Sequence, residues 1–541
     1  MAIFLSEYRA TRRTGLFLIF LPVWVVASIL LFRNLGPEQA GKRPVKGGVF
    51  RIKSFADSFR MQLDPAQPDS YIFLSEQLYD GLVRLDKNAK IAPSLAEYWM
   101  ISPDGKVYTF FLKKGVLFHH GEEVTAEDVK FSLERILDRE VGSPYFHFFS
   151  PRVEGASEFR EGQAAEVTGI RAVDRYKLEI HWVRPYVPAL YLLSLHFCKI
   201  LPRERVSRQG DSFFQKPVGT GPFQFDYWIR DNRLNEVGVR LKRNESYFQT
   251  EPYLDALEFS PFYTQDHFIN GEIDCIPVLS ERLLQPRYRI FQDGSLQTVF
   301  IGMSCHLPPL DNPTVRKAFQ AGIDKQAVID AVTEVRYSMQ ATERIIPSRI
   351  PGFYSVDDPL PCDRNKARRL IEEAGFSAGK EFPALLLFLD FPRTEFKRKF
   401  AREIRNQLES LGVSVSVSYF RSPDQVRESD SPYLILVDKT MHMPDPEDMI
   451  RPLFSPQSES NMFSYGNPSV ADLLHASESE KSWSRRIRIF QQIEKILLDD
   501  VPVIPIYSRQ NRVALQPYVR GVAVPRLGMY YLDARKIWLG K

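Results

Sequence analysis

The chain has 541 residues, with 71 Lys+Arg against 67 Asp+Glu and a formal net charge of +4. That near balance excludes the basic footprint of a nucleic-acid binder, and the length exceeds what one hydrophobic core organises, so two or three lobes are expected. Hydrophobic content of 44% and charged content of 26% fit a globular protein, and an aromatic content of 13% suits one that encloses an organic ligand, although most rings belong to core packing. Cys198, Cys275, Cys305 and Cys362 are widely spaced with no C-x-x-C, which removes zinc and thioredoxin-like readings. Outside the cytoplasm one or two disulfides are open to them, with no pairing set by the sequence.

Gly15 to Phe32 carries no charge and follows Arg9, Arg12 and Arg13. Its length is close to the lower limit for crossing a bilayer. It lacks an Ala-x-Ala exit and no Cys follows, so an uncleaved signal anchor is expected over 15–32, with a cleaved signal sequence as its competitor. The basic residues before it keep 1–14 in the cytoplasm. Residues 33–46 read as a linker.

The folded part starts with a strand at Gly47 to Ile52. Pro103-Asp104-Gly105-Lys106 is a turn, and Val107 to Leu112, aromatic and β-branched, reads as a strand. After a second turn, Thr125 caps a helix with Asp128 as its capping-box partner, and Val129, Leu133, Ile136 and Leu137 form the apolar stripe. His119-His120 looks like a metal pair, but adjacent strand residues point to opposite faces. His120 is therefore read as a turn residue and Glu122-Glu123 as a solvated pair. Lys177 to Trp182 alternates as a half-buried strand. Gly219-Thr220-Gly221 is a tight turn and not a phosphate loop, because no Gly-Lys-Ser/Thr follows and Pro222 blocks a helix.

Pro313 suits the first turn of a helix and Asp324 caps the next. Asp363 caps Asn365 to Ala374, and Gly375 ends it. Leu385 to Leu389 reads as a strand and Phe400 to Leu411 as a helix stopped by Gly412. Val413, Val415 and Val417 then alternate as a strand, and this strand–helix–strand order implies an α/β lobe. Ile487 to Leu498 is an amphipathic helix, and Val513 to Lys541 is expected to return as short strands.

Several of these stretches share a pattern. Trp99, Ser102, Asp104-Gly105, Tyr108-Thr109-Phe110, Gly115-Val116, Phe118, Gly121, Thr125-Ala126 and Asp128-Val129 follow one another in fixed order. This run resembles the signature of the bacterial solute-binding proteins of family 5, the oligopeptide and dipeptide receptors of ABC importers. Leu63-Asp64-Pro65, Pro217 to Phe223, Gly271 to Asp274, Val315 to Phe319 and Pro502 to Tyr507 are similar to further landmarks. The resemblance spans about residues 47–530.

It implies a two-lobed α/β clam-shell with a hinge, preceded by the N-terminal helix. Lobe I would be 47–297 with 512–541 returning to it, lobe II 298–511, and the crossovers would lie near Val299 to Cys305 and Ile506 to Arg512. It implies capture of a peptide or other small solute by closure and delivery to an ABC permease with separate ATPase subunits, consistent with the lack of a Walker motif. A monomer on the periplasmic or extracytoplasmic face, tethered to the inner membrane, is expected, with no catalytic residue, cofactor, metal or nucleic-acid partner.

By the same resemblance the informative ligand segment is Val437 to Pro446. Peptide-binding members run Trp-x-x-Asp-x-x-Asp-Pro there, the first Asp pairing with the ligand's α-ammonium. Here Asp445-Pro446 matches the end of the pattern, His442 stands at the first Asp and Lys439 at the Trp, with Thr440 between them. A buried ammonium without a counter-charge costs several kcal/mol, and after a register shift a nearby acid such as Asp438 or Glu447 is the candidate to compensate. A helix cap is the competing role for Asp445. Ser70, Tyr71, Thr220 and Ser304 are placed at the cleft by family position. A non-peptide solute (a nickel chelate, a sugar, an opine) is the alternative within the fold. A membrane-anchored sensor or enzyme is the alternative outside it, although no Gly-x-Ser-x-Gly or His-Glu-x-x-His occurs.

Overall fold

The computed structural model describes residues 43–54, 62–67, 71–150, 152–333, 338–347, 349–350, 352–353, 361–376, 381–523, 525 and 528–541. The expected anchor at 15–32 and Ser70 lie outside these residues. Among those described, no helix is long and apolar enough to cross a membrane.

Two long strands, Arg289–Met303 and Val503–Leu515, run antiparallel through the middle of an 11-stranded sheet. Their register holds from Arg289↔Leu515 to Gly294↔Gln510, shifts before Thr298↔Ser508 and again between Val299↔Tyr507 and Phe300↔Pro505, and ends at Gly302↔Val503. Such an irregularity bends the strands and increases their twist. On the Leu515 side of the shift the neighbours are Cys275–Pro277, Val49–Lys53, Ala256–Ser260, Glu236–Arg243 and Phe223–Arg230. On the Met303 side they are Tyr433–Thr440, Leu385–Asp390 and Val415–Phe420. The same two strands therefore serve two halves.

Each half buries both faces of its part of the sheet. Side chains alternate along a strand, so Val299, Ile301 and Met303 enter one core of the second half while Leu296 and Phe300 enter the other. In the first half Phe50, Ile52, Leu241 and Phe259 pack on one face. Phe268, Ile273, Ile276 and Ala514 pack on the other.

A third body stands beside the two halves of this sheet. Ala96–Ile101, Val107–Leu112, Lys177–His181 and Ile170–Asp174 form a four-stranded antiparallel sheet covered by the helix Ala126–Leu137. Its core contains Phe110, Val129, Leu133, Leu178, Ile180 and Trp182. Thr125 and Asp128 form the expected reciprocal capping box.

Elsewhere the chain departs from expectation in instructive ways. The helix expected from Phe400 starts at Glu395, capped by Thr394, whose side chain accepts from the Lys397 N–H. The following strand is Val415–Phe420 and leaves Val413 outside. Gly412 turns the chain with φ +84°, and two residues are needed before it aligns beside Leu385–Asp390. The expected alternation holds at Val413 and Val415, which are buried while Ser414 and Ser416 are exposed, and breaks at Val417, which is exposed on this edge strand. The last amphipathic helix extends over Trp483–Asp500. Part of the expected C-terminal set of short strands is the end of one 13-residue strand, Val503–Leu515. All four cysteines are free thiols, so no disulfide forms.

Candidate ligand-binding seam

Met443 comes from the second half but is buried in the core of the third body. Around it, Lys481 Nζ donates to Pro103 O at 2.8 Å, and the Tyr191 and Trp483 rings lie 6.3 Å apart. The segment 441–483 and the third body thus face each other across a seam.

The loop 441–446 is held between the strand Tyr433–Thr440 and the helix Glu447–Phe454. Asp448, in the helix's first turn, reaches back and accepts the backbone N–H groups of His442 and Met443 through Oδ2. Its side chain is 1% exposed. His442 Nδ1 lies 3.7 Å from Oδ2 and Lys439 Nζ 4.0 Å from Oδ1, which are electrostatic contacts beyond hydrogen-bond length. Burial alone would raise this carboxyl; the His442 ring, Lys439 and the Met443 N–H outweigh it and hold the pKa at about 2.

Opposite stand rings of the third body. The His442 ring sits edge-on to Tyr145 at 6.4 Å and to Phe148 at 6.1 Å. Tyr145 stacks on Phe197 at 4.2 Å, and its hydroxyl is 3.3 Å from His196 Nε2. His196 is buried; burial first, then the nearness of His442 and Lys199, pushes its pKa well below the ordinary histidine value. Three polar atoms here, His442 Nδ1, Asp448 Oδ1 and His196 Nδ1, are buried and have no hydrogen-bond partner among the described residues.

Beneath the loop lies a buried charge network. Arg486 binds Asp445 through Nε and a terminal nitrogen, at 2.9 and 3.0 Å, and Glu447 at 2.6 Å. Arg451 joins Glu447 at 2.7 Å and Glu478 at 3.0 Å. Asp445 also accepts the Glu447 N–H at 2.9 Å.

The candidate residues separate accordingly. Lys439 and His442 meet at the seam. Thr440, the exposed last residue of its strand, pairs with Gln297. Asp445 lies underneath, both oxygens held by Arg486. Tyr71 is buried at the start of the helix Ile72–Leu78, edge-on to Phe259 at 5.0 Å. Thr220 is fully buried, its hydroxyl donating to Asp80 at 3.1 Å. Ser304 is fully buried in the second half, where its Oγ accepts the Tyr433 N–H at 3.0 Å.

Neither acid expected to compensate for His442 does so. Asp438 faces Gln297 and Arg509, and Glu447 is held in the network. The neighbouring acid is Asp448, which sequence reasoning missed together with Tyr145 and His196. An acid in the first helical turn after Asp-Pro was the one available signal for Asp448.

The paired histidines 119 and 120 are structural. His119 accepts the Gly219 N–H at Nδ1 and contacts Gly221 O through Nε2 at 3.0 Å, and burial pushes its pKa down to about 4. The His120 ring stacks on Phe118. Glu123 is not merely solvated, since it accepts from the Gly115 N–H and the Tyr176 hydroxyl. Among the described residues no cluster could hold a metal ion. A cavity of about 280 Å³ is lined by residues of the stretch 76–94 and by Tyr531, Asp533 and Arg535, and by none of residues 441–448. Its walls carry their own ion pairs, Glu76 with Lys199 at 2.7 Å and Asp533 with Arg535 at 2.7 Å.

Comparison with known proteins agrees with this architecture. The family profile described as bacterial extracellular solute-binding proteins, family 5 middle, matches residues 90–461. The dipeptide-binding protein of Escherichia coli is 25% identical over 495 residues, covering 86% of this chain and 90% of that protein. The solved structure of HbpA2 from Haemophilus parasuis superposes with a TM-score of 0.76 at 24% identity, covering 91% of this chain and 100% of the other. The periplasmic binding protein DppA from Helicobacter pylori, in complex with the peptide STSA, gives a TM-score of 0.72 at 25% identity and covers 92% and 99%. The fold is the two-lobed, mixed α/β architecture of periplasmic binding proteins, and the chain belongs to the bacterial extracellular solute-binding proteins of family 5.

Proposed function

We propose that this protein is the receptor of an ABC importer that captures peptides or peptide-like solutes at the seam and hands them to a permease. The observation that carries this reading is the group of unsatisfied, buried polar atoms on His442, Asp448 and His196, set among Tyr145, Phe148 and Phe197. Unpaired buried polar atoms cost free energy, and a bound solute with amide groups would relieve it. Peptide-binding relatives and the peptide-bound neighbour support the solute class.

The hinge in this reading is the strand pair Arg289–Met303 and Val503–Leu515 at its register shift. Lobe I is then 47–297 with 512–541, lobe II is 298–511, and the third body rides on lobe I. Closure shifts the population toward the form that binds the solute more tightly. Expelling water from the seam strengthens each polar contact. No bond is broken, and ATP hydrolysis belongs to a separate subunit. The receptor works as a monomer on the extracytoplasmic face, and the apolar run at 15–32 tethers it to the inner membrane.

Native mass spectrometry of the purified protein tests the reading. One small solute retained per chain, exchangeable with added peptide, is the expected result. A protein that retains nothing and shows no thermal shift across a library of short peptides overturns it.

A further inference from the structure

Taking the seam as the solute site, we infer that it selects against a free α-ammonium and takes the end of a solute that is uncharged or anionic, such as an N-blocked peptide. This rests on the functional reading above and adds the chemical class of the group received at residues 439–448.

The argument is one of local charge. An ammonium leaving water needs an uncompensated negative charge, because desolvation of an unpaired ion outweighs what neutral dipoles return. Among the described residues the acid that faces His442 and Lys439 is Asp448, and it has charge partners from its own chain. The Lys439 ammonium is 4.0 Å from Oδ1, and the His442 ring is 3.7 Å from Oδ2. Oδ2 is further occupied by two backbone N–H groups. Lys439 thus stands where a ligand's ammonium would otherwise stand.

The other acids around the loop are no freer. Glu447 is claimed by Arg451 and Arg486, and Asp445 by Arg486. Glu478 is bound by Arg451 and lies 4.0 Å from Arg184. Asp438 faces Gln297 and Arg509 on the opposite side of its strand from Lys439. What the third body brings to the His442 ring is aromatic, Tyr145 and Phe148, with the buried His196 behind Tyr145. The Lys439 ammonium offsets the Asp448 carboxylate, and the His442 ring adds no negative charge. A second ammonium would meet like charge, whereas an acetyl carbonyl or a carboxylate could accept from Lys439 and His442.

The test is calorimetric titration of the whole chain with a mixed-sequence library of short peptides, supplied with free or acetylated amino termini. We expect the acetylated set to bind about tenfold or more tightly than the free set. We expect a His442→Asp, Lys439→Met double variant to reverse the preference by restoring an uncompensated acid, so that a gain of binding is read and loss of folding cannot mimic it. Wild-type protein that prefers free amines, or does not discriminate, overturns the inference while leaving peptide capture standing. A double variant whose preference does not move overturns it as well. Wild-type protein that binds neither set overturns this inference and the peptide reading together.

Discussion

Arg486 and Asp445 form a two-pronged ion pair with no exposure to solvent, Nε to Oδ2 at 2.9 Å and a terminal nitrogen to Oδ1 at 3.0 Å. The pair fixes the start of the helix that carries Asp448, so the seam depends on it without touching it. Arg486→Met should destabilise the protein by about 3–5 kcal/mol, because Asp445 is then left as a buried charge with no cation and Glu447 keeps only Arg451. Replacing all three residues by apolar ones of similar volume should recover most of that loss. Urea denaturation of the two variants checks both statements.

Gly219 tests the reading of its turn. A Cβ at this position would stand 2.0 Å from Leu78 O, and one at Gly221 would stand 2.3 Å from Gln77 O. Backbone cannot move aside as a flexible side chain does, so Gly219→Ala should cost about 1–3 kcal/mol or more by overpacking. Gly115, also in a turn, has φ +75° and nothing within 4 Å of its added Cβ. Gly115→Ala should therefore cost only about 1–2 kcal/mol, from placing a Cβ in the left-handed region. Thermal denaturation of the two alanine variants should rank them in that order.

Ser304 and Thr220 should separate stability from binding. Each hydroxyl serves a buried partner of its own half, the Tyr433 N–H for Ser304 and Asp80 for Thr220. Ser304→Ala and Thr220→Val should each lower stability by about 1–3 kcal/mol, the cost of an unsatisfied buried group. Solute affinity, measured by calorimetry where the variants are folded, should stay within error of the wild type.

Much of the scaffold was legible because it is local chemistry. The Thr125–Asp128 box, the Asp324 and Asp363 caps and the alternation of Leu178, Ile180 and Trp182 are set by residues a few positions apart. The third body was not legible as a separate unit, since its core is set by packing between distant stretches, such as Tyr108 edge-on to Trp182 and Phe110 beside Leu178. At the seam, position along the chain pointed to Lys439 and His442. Asp448 was missed because its partnership with His442 is made by a loop folding back on the next helix. Tyr145 and His196 were missed because they arrive from another body, about 250–300 residues away in sequence. Ser304 and Thr220 were misplaced for the same reason, since nothing in a hydroxyl's neighbours along the chain says whether it faces a cleft or a core.

Two seam groups give pH dependences in separate windows. Asp448 has its carboxyl lowered to about 2 in the folded protein against an ordinary value of 3.8. A carboxyl with a depressed folded pKa stabilises above its unfolded value, so its contribution of about 2 kcal/mol is complete above about pH 4 and fades toward pH 2. Asp448→Asn should flatten the acid limb of a stability–pH profile over that window alone. His196 is a base held neutral, mainly by burial and then by His442 and Lys199, with Tyr145 beside it. If opening the seam returns it to water, it titrates there near about 6.5. The open form then binds more protons than the closed one, so closure is intact above about pH 6.5 and weakens as the pH falls below it. Solute affinity measured from about pH 8 down to pH 5 should therefore decline in wild-type protein and decline less in His196→Gln. A profile unchanged by that substitution would mean that His196 stays buried in the open form and that closure is indifferent to its proton.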